Sequence, residues 1–284
     1  MRRALATVAT SLLLALQPGA GTAAAKPSRI VSLNLCTDQI LVDLVPHSRI
    51  AALTTLAIDR NVSAIADDVR GLRLISGAAE EVIGLDPDLV LASPIAAAPT
   101  VDLLRRLGRR VELVPFATSF DEIRASVRQI AVAVDEVERG EVLIARFDRA
   151  LAAARSRAER NPEALVYQVN GLVSGTGSLA DAALKAAGLA NQVERRSIAP
   201  GARLALESII VMPPDLVVLA HGMHTYHTVV SDNLRHPALA RVMARTAGME
   251  LPMPLWLCGG PRIADAVGML AGARDRLPTA RTSQ

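Results

Sequence analysis

Aromatic side chains are scarce here: one Trp, two Tyr and three Phe among 284 residues, although 51% of the chain is hydrophobic. Ala, Val, Leu and Ile must therefore fill the core. Cysteine is almost missing as well. Only Cys36 and Cys258 occur, and the sequence is compatible with both a disulfide and two free thiols. Charge bias is weak. The formal +3 falls to about +1 once Arg2 and Arg3 are removed, and basic residues are interleaved with acids, as in Arg105 to Glu112. Nothing marks a nucleic-acid surface. Gly-x-Ser-x-Gly is absent, no Ser/His/acid order stands out, and no paired carboxylates sit on a candidate site loop. An enzyme therefore has little support.

Long hydrophobic runs are missing beyond the start, so no mature segment is expected to span a membrane. The start itself has Arg2 and Arg3, an apolar run from Ala4 to Leu16, then Pro18-Gly19 and small residues to Ala25. That layout predicts a signal peptide over 1–25, cleaved near Ala25–Lys26 for export to the periplasm. No Cys lies at that point, so lipid attachment is not expected.

What is present is a repeated phrase. Glu80 to Ala92 (EEVIGLDPDLVLA) and Glu207 to Ala220 (ESIIVMPPDLVVLA) both place a Glu seven residues before a Pro-Asp-Leu-Val. Val82/Ile209, Ile83/Ile210 and Leu85/Met212 fall in step. Each copy predicts a short helical turn, a proline break and a buried parallel strand. Two similar lobes follow, not a solenoid.

Elsewhere, strands are expected at Ile30–Leu33, Ile50–Leu53, Val111–Val114 and Ala164–Val169, with helices between them. The alternation predicts an α/β chain with mostly parallel sheets. Thr37 or Asp38 is expected to cap the first helix. Gly108 and Gly248 are expected to cap helices that mirror each other. Between Asp121 and Asn161 only Gly140 interrupts the helical spacing, and a helix over 137–160 would make a stiff connector. The expected organisation is an N-terminal lobe over 26–136, that helix, a C-terminal lobe over 161–260, and a closing helix and tail over 261–284.

Ligands of parallel sheets bind beyond the carboxyl ends of the strands. This selects Asn34–Asp38, Ser93–Pro94, Asn170–Ser178, His221–His227 and Trp256–Arg262. The loop Gly175-Thr176-Gly177-Ser178 reads first as a tight turn and second as a phosphate cradle, since it lacks a following Lys. His221, His224 and His227, with Met223, could ligate a metal, touch a ligand's periphery or form a solvated loop. Glu80 and Glu207 could simply complement helix dipoles. Placed alike on two lobes, they could also dock Arg clusters of a symmetric partner.

These features together resemble the periplasmic substrate-binding proteins of ABC importers for cobalamin and ferric siderophores. The likeness is carried by Arg29–Leu33, both Glu…Pro-Asp-Leu-Val units, Gly175–Asn191 and Gly260-Pro261-Arg262. It implies two Rossmann-like lobes joined by a single long interlobe helix, and a monomeric, non-catalytic receptor with no cofactor of its own. It implies that Glu80 and Glu207 salt-bridge the importer's permease dimer, which works with its ATPase. A metal chelate, a ferric siderophore or cobalamin, would sit between the lobes. The ligand-binding candidates are Asn34, Cys36, Thr37, Arg60, Ser93, Asn170, Thr176, His221, Met223, His224, Trp256 and Arg262. On this footing three roles are open to Cys36 and Cys258: a cross-lobe disulfide, contact with a metal, or small apolar fillers.

The cleft departs from the resemblance in having few aromatics for a cobalamin or haem ligand. It also has only Arg60 and Arg262 for a catecholate complex. An alternative is a secreted metal-ion-binding protein using the His221–His227 segment and the Cys pair directly. A periplasmic enzyme on the same scaffold would need turnover at the Cys pair.

Overall fold

The computed structural model describes residues 25–95, 98–155, 161–195, 198, 201–221 and 236–278. The expected signal peptide thus lies outside the described residues, apart from Ala25. Two parallel sheets are present. The first is built from β1 (Ile30–Ser32), β2 (Ile50–Thr54), β3 (Leu74–Ile75), β4 (Leu89–Ala92) and β5 (Val111–Leu113), in the order β3-β2-β1-β4-β5. The second holds β6 (Glu163–Tyr167), β7 (Ala190–Asn191), β8 (Leu216–His221) and β9 (Ala247–Pro252), in the order β7-β6-β8-β9. In both, the first strand in sequence sits between the next strand and the strand of the repeated phrase. Strands such as β4 are buried at every position, because helices cover both faces.

On one face of the first sheet lies α1 (Leu35–Leu44). On the other lie α2 (Ala79–Gly84) and α3 (Ala98–Arg106). The second sheet has α6 (Leu179–Ala186) and α10 (Ile263–Asp275) on one face. α8 (Leu206–Val211) and α9 (Pro237–Met243) cover the other, beside the short α7 (Gln192–Arg195).

The repeated phrase has a physical basis in each lobe. Both α2 and α8 start after an extended alanine, Ala78 (φ −62°, ψ 142°) and Ala205 (φ −64°, ψ 142°). Val82 and Ile209 are fully buried under them. The Asp of each Pro-Asp then holds the first strand. Asp88 accepts hydrogen bonds from the Ser28 and Arg29 amides at 2.7 and 3.1 Å, and Asp215 accepts one from the Glu163 amide at 2.9 Å. The return bonds run from the Asp88 and Asp215 amides to the Arg29 and Glu163 carbonyls. A carboxylate thus fixes where β1 and β6 begin beside β4 and β8.

The connector is a helical hairpin, α4 (Phe120–Ala133) and α5 (Val137–Ala154). Helix α5 is the expected interlobe helix, about 27 Å long at 1.5 Å per residue. It ends at Ala154, not Arg160, because Arg155 is already extended (φ −60°, ψ 133°). It also has a companion. Ile123 of α4 lies in the second lobe's core, whereas Val127, Ile130 and Ala131 lie in the first lobe's. Helix α5 runs back from Ile144 in the first core to Phe147 and Leu151 in the second. The two helices approach so closely that a Cβ on Gly140 would sit 2.6 Å from that of Ala131. Gly140 is therefore a packing glycine, not a break.

Two further expectations are corrected. Asn34 caps α1, accepting a 2.9 Å bond from the Cys36 amide, so the helix starts ahead of Thr37 and Asp38. Gly108 does follow α3 with φ 71°, but Gly248 lies inside β9. There a Cβ would collide with the Met243 side chain.

Candidate functional site

The carboxyl ends of the two sheets face one another, and a disulfide shows where they meet. Cys36, at the start of α1 beyond β1, is bonded to Cys258, beyond β9, with 5.1 Å between the Cα atoms. Beside it Gly259 presses against the segment leaving β5. A Cβ on Gly259 would lie 2.4 Å from the Ala117 carbonyl oxygen. Arg262 completes the contact, donating to Asp43 on α1 at 3.1 Å and to Asp68 at 3.3 Å. Burial pushes the Asp43 carboxyl up, and the Arg262 charge works against that rise. Asn34, Cys36, Thr37, Phe116, Ala117 and Gly259 line a small void here, with room for about one water.

The expected ligand residues divide into several groups. Thr37 is buried and satisfied internally, donating to the Asn34 carbonyl at 2.8 Å and meeting the Ser32 hydroxyl at 2.7 Å. Ser93 is buried too. Arg60 is exposed and pairs with Asp67 at 2.5 Å, a carboxylate shared with Arg70. Asn170 stands just past β6 in a left-handed conformation (φ 58°), which Asn tolerates better than most residues. With its amide turned so that the oxygen faces Arg203, it accepts from both Nη2 and Nε, at 2.5 and 3.1 Å. Arg203, which the sequence reading overlooked, thus enters the rim of the second lobe. Thr176 is exposed on its turn. Trp256 packs against the second core, and its indole N–H is buried without a partner among the described residues. His221 ends β8. Its side chain, with Met223, His224 and His227, lies outside the described residues.

The Gly175–Ser178 loop is a turn whose anion position is taken by the protein itself. Asp181, 3% exposed, accepts from the Gly177 amide (2.9 Å), Lys185 (2.9 Å) and Asn191 (2.9 Å). Burial raises this carboxyl, and the three donors more than reverse that, leaving it below the usual range. Asp38 on α1 has the opposite setting. Fully buried, with Thr54 donating through N–H and Oγ1 but no cation, it is pushed up to about 7, chiefly by desolvation. Sequence marks Asp38 only as a possible helix cap and loop end, and Asp181 not at all, because only the fold shows their burial.

Large apolar side chains are exposed on the loops leaving several strands toward the cleft. Leu56 and Ile58 follow β2, Ile95 follows β4, Phe116 follows β5 and Leu257 follows β9, each between 47% and 77% exposed. A bigger cavity of about 520 Å³, between Phe120, Arg155 and Gly188, lies behind α5 at the amino ends of the second lobe's strands. Glu80 and Glu207 each occupy the second position of their helix. Both are exposed, and no ion pair holds them among the described residues. Glu81, in contrast, folds back onto the Ser76 amide and hydroxyl at 2.9 and 2.5 Å. No cluster of His, Cys, Asp and Glu among the described residues could hold a metal ion.

A family model described as periplasmic binding protein matches residues 30–248. The chain belongs to the periplasmic binding protein family. Among curated proteins, this binding protein is 28% identical over 200 residues to a cobalamin-binding protein of Halobacterium salinarum. That match covers 68% of the chain and 54% of the relative, so the chain spans about half the length of the curated protein it matches. Among solved structures, it resembles the periplasmic heme-binding protein RhuT from Roseiflexus sp. RS-1 in apo form. There the TM-score is 0.72 and the identity 25%, covering 87% of this chain and 97% of that one. The periplasmic vitamin B12 binding protein BtuF of Vibrio cholerae shares the fold, with a TM-score of 0.64 and 17% identity over 88% of this chain and 97% of that one. No helix among the described residues is long and apolar enough to cross a membrane.

Proposed function

We propose that this binding protein captures a metal chelate of the cobalamin or ferric-siderophore type between its lobes and delivers it to an ABC importer from the periplasm. Within that class the geometry favours a chelate without a concentrated negative charge, a corrinoid, a haem or a hydroxamate complex, over a trianionic catecholate. One observation carries the choice: the cleft's rim exposes Leu56, Ile58, Ile95, Phe116 and Leu257. All five follow the carboxyl end of a strand, the edge of a parallel sheet at which ligands bind. The guanidinium groups fit the same reading. Arg60 and Arg262 are already matched by Asp67 and by Asp43 and Asp68, so neither presents a bare charge to an anion. The cobalamin-binding relative and the heme-binding and vitamin B12 binding structures support the cargo class. Direct use of the two cysteines as metal ligands has less support, since a disulfide offers no thiolate.

The test is a titration of the purified protein with cyanocobalamin, haemin, a ferric hydroxamate, a ferric catecholate and bare iron, zinc and copper ions. Binding is followed by calorimetry and by the fluorescence of Trp256. Saturable binding of cyanocobalamin, haemin or the hydroxamate complex at micromolar concentration or below is expected. Binding of only the catecholate would overturn the choice of cargo, and binding of only bare ions would overturn the receptor reading.

A further inference from the structure

We infer that Cys258 to Arg262 form an interlobe clasp that fixes the width of the cleft and seals it on the side of the α4/α5 hairpin. Three different contacts fall within these five residues. One is covalent, Cys36 to Cys258. The second is steric, the Gly259 backbone against Ala117, where no side chain could be tolerated. The third is ionic, Arg262 to Asp43 and Asp68. Cys36, Asp43 and Asp68 belong to the first lobe, and Ala117 leaves that lobe's β5 to pack on the second core, whereas the clasp residues lead into α10 and the second lobe's core.

The location sets the consequence. Helices α1 and α10, which carry or follow the clasped residues, pack on the same faces of their sheets as the hairpin. Helices α2 and α8, which carry Glu80 and Glu207, pack on the opposite faces. The lobes are therefore tied twice on one side, by hairpin and clasp. Rocking them apart about the hairpin would pull Cys36 from Cys258, and a disulfide tolerates Cα separations of only about 4.4–6.8 Å. The cleft stays at one width, and a ligand enters and leaves on the side of the two exposed glutamates. This holds whatever the ligand, so the test uses none.

Small-angle scattering and amide hydrogen exchange are compared for the wild-type protein, C36S/C258S, R262M and the triple variant. The triple variant is expected to stay folded by circular dichroism, with a larger radius of gyration. Exchange at 34–44 and 114–117 should rise at least tenfold. Unchanged scattering and exchange would overturn the clasp, leaving the hairpin as the sole determinant of lobe spacing. If the triple variant does not fold, the two simpler variants decide. Faster exchange across the clasp in both supports it, and wild-type exchange in both overturns it.

Discussion

Each lobe buries an aspartate in the first turns of the helix that follows its first strand, and the two meet opposite fates. Asp38 in the first lobe has Thr54 but no cation, and burial pushes it up to about 7. Asp181 in the second lobe has Lys185, Asn191 and the Gly177 amide, and stays below the usual range despite its burial. Surface exposure does not separate them, at 0% and 3%. Depth and partners do: Asp38 is the more deeply embedded, and only Asp181 has a cation beside it. A buried carboxylate with several donors, one of them charged, is a fixed anchor, whereas one with hydroxyl and amide donors alone is held mainly by being protonated.

The largest effect expected from breaking this contrast is at Asp181. Asp181→Ala removes three donors' acceptor and leaves the buried Asn191 amide with one partner fewer. A loss of about 2–4 kcal/mol at pH 7 is expected from charge-assisted bonds plus an under-satisfied buried group, read by urea unfolding. The pH dependence has a definite sign. The folded carboxyl lies below its unfolded value of 3.8, so its contribution is present above that pH and lost as pH falls further. A loss below 0.5 kcal/mol would show that Asp181 anchors nothing.

Asp38→Asn is expected to act in the opposite direction. Its folded value of about 7 lies above the unfolded 3.8, so the folded state holds a proton that the unfolded chain gives up. That contribution is complete below about pH 4 and erodes as pH climbs to 7. The neutral amide keeps an oxygen for the Thr54 amide and removes the erosion. The variant should gain about 1–3 kcal/mol relative to wild type at pH 8, with little difference at pH 4. Unfolding midpoints measured from pH 4 to 8 decide it. A constant difference across that range would mean Asp38 does not titrate there.

How much of this the sequence carried depends on whether a signal was periodic or spatial. The β4 strand lies where the repeated phrase places a buried strand, because a short apolar run after a proline permits little else. The two-lobe plan followed from the repeat. The role of Asp88 and Asp215 within that repeat went unread, since their partners Arg29 and Glu163 lie 59 and 52 residues away. Helix α4 was likewise missed as a separate element. Asp135 turns the chain with φ 57°, and no glycine or proline marks the spot. The two-residue strands β3 and β7 are too short to leave a pattern. At the site, the candidates were chosen by position beyond strand ends, and position says nothing of what a side chain already holds. Thr37 and Arg262 were legible as neighbours of the cleft, but their partners Ser32, Asp43 and Asp68 were not.

The smallest stability effects and the sharpest functional ones are expected at the lobes' paired glutamates, where the repeat separates two adjacent acids. Glu81 has no acidic counterpart, because Ser208 stands in its place. It serves its own lobe, with its carboxyl held low by Ser76. Glu80 and Glu207 recur, lie exposed and bind nothing within the described chain. If the recurring pair docks a two-fold permease, Glu80→Ala with Glu207→Ala should abolish stimulation of the importer's ATPase in proteoliposomes. Ligand affinity should be unchanged and stability shifted by no more than about 0.5 kcal/mol, as for surface positions generally. Glu81→Ala should do the reverse, lowering the unfolding midpoint through the lost bonds to Ser76 while leaving stimulation intact. The single variants matter because the surroundings of the pair are not equivalent. Val211 is 82% exposed beside Glu207, where the first lobe has Gly84, and Met212 is 38% exposed where Leu85 is buried. A partner that reads these apolar differences would suffer unequally from Glu80→Ala and Glu207→Ala. One that reads only charge would suffer equally. If stimulation survives the double variant and fails in Glu81→Ala, the recurrence of the glutamates is a matter of helix dipoles, and the docking assignment falls.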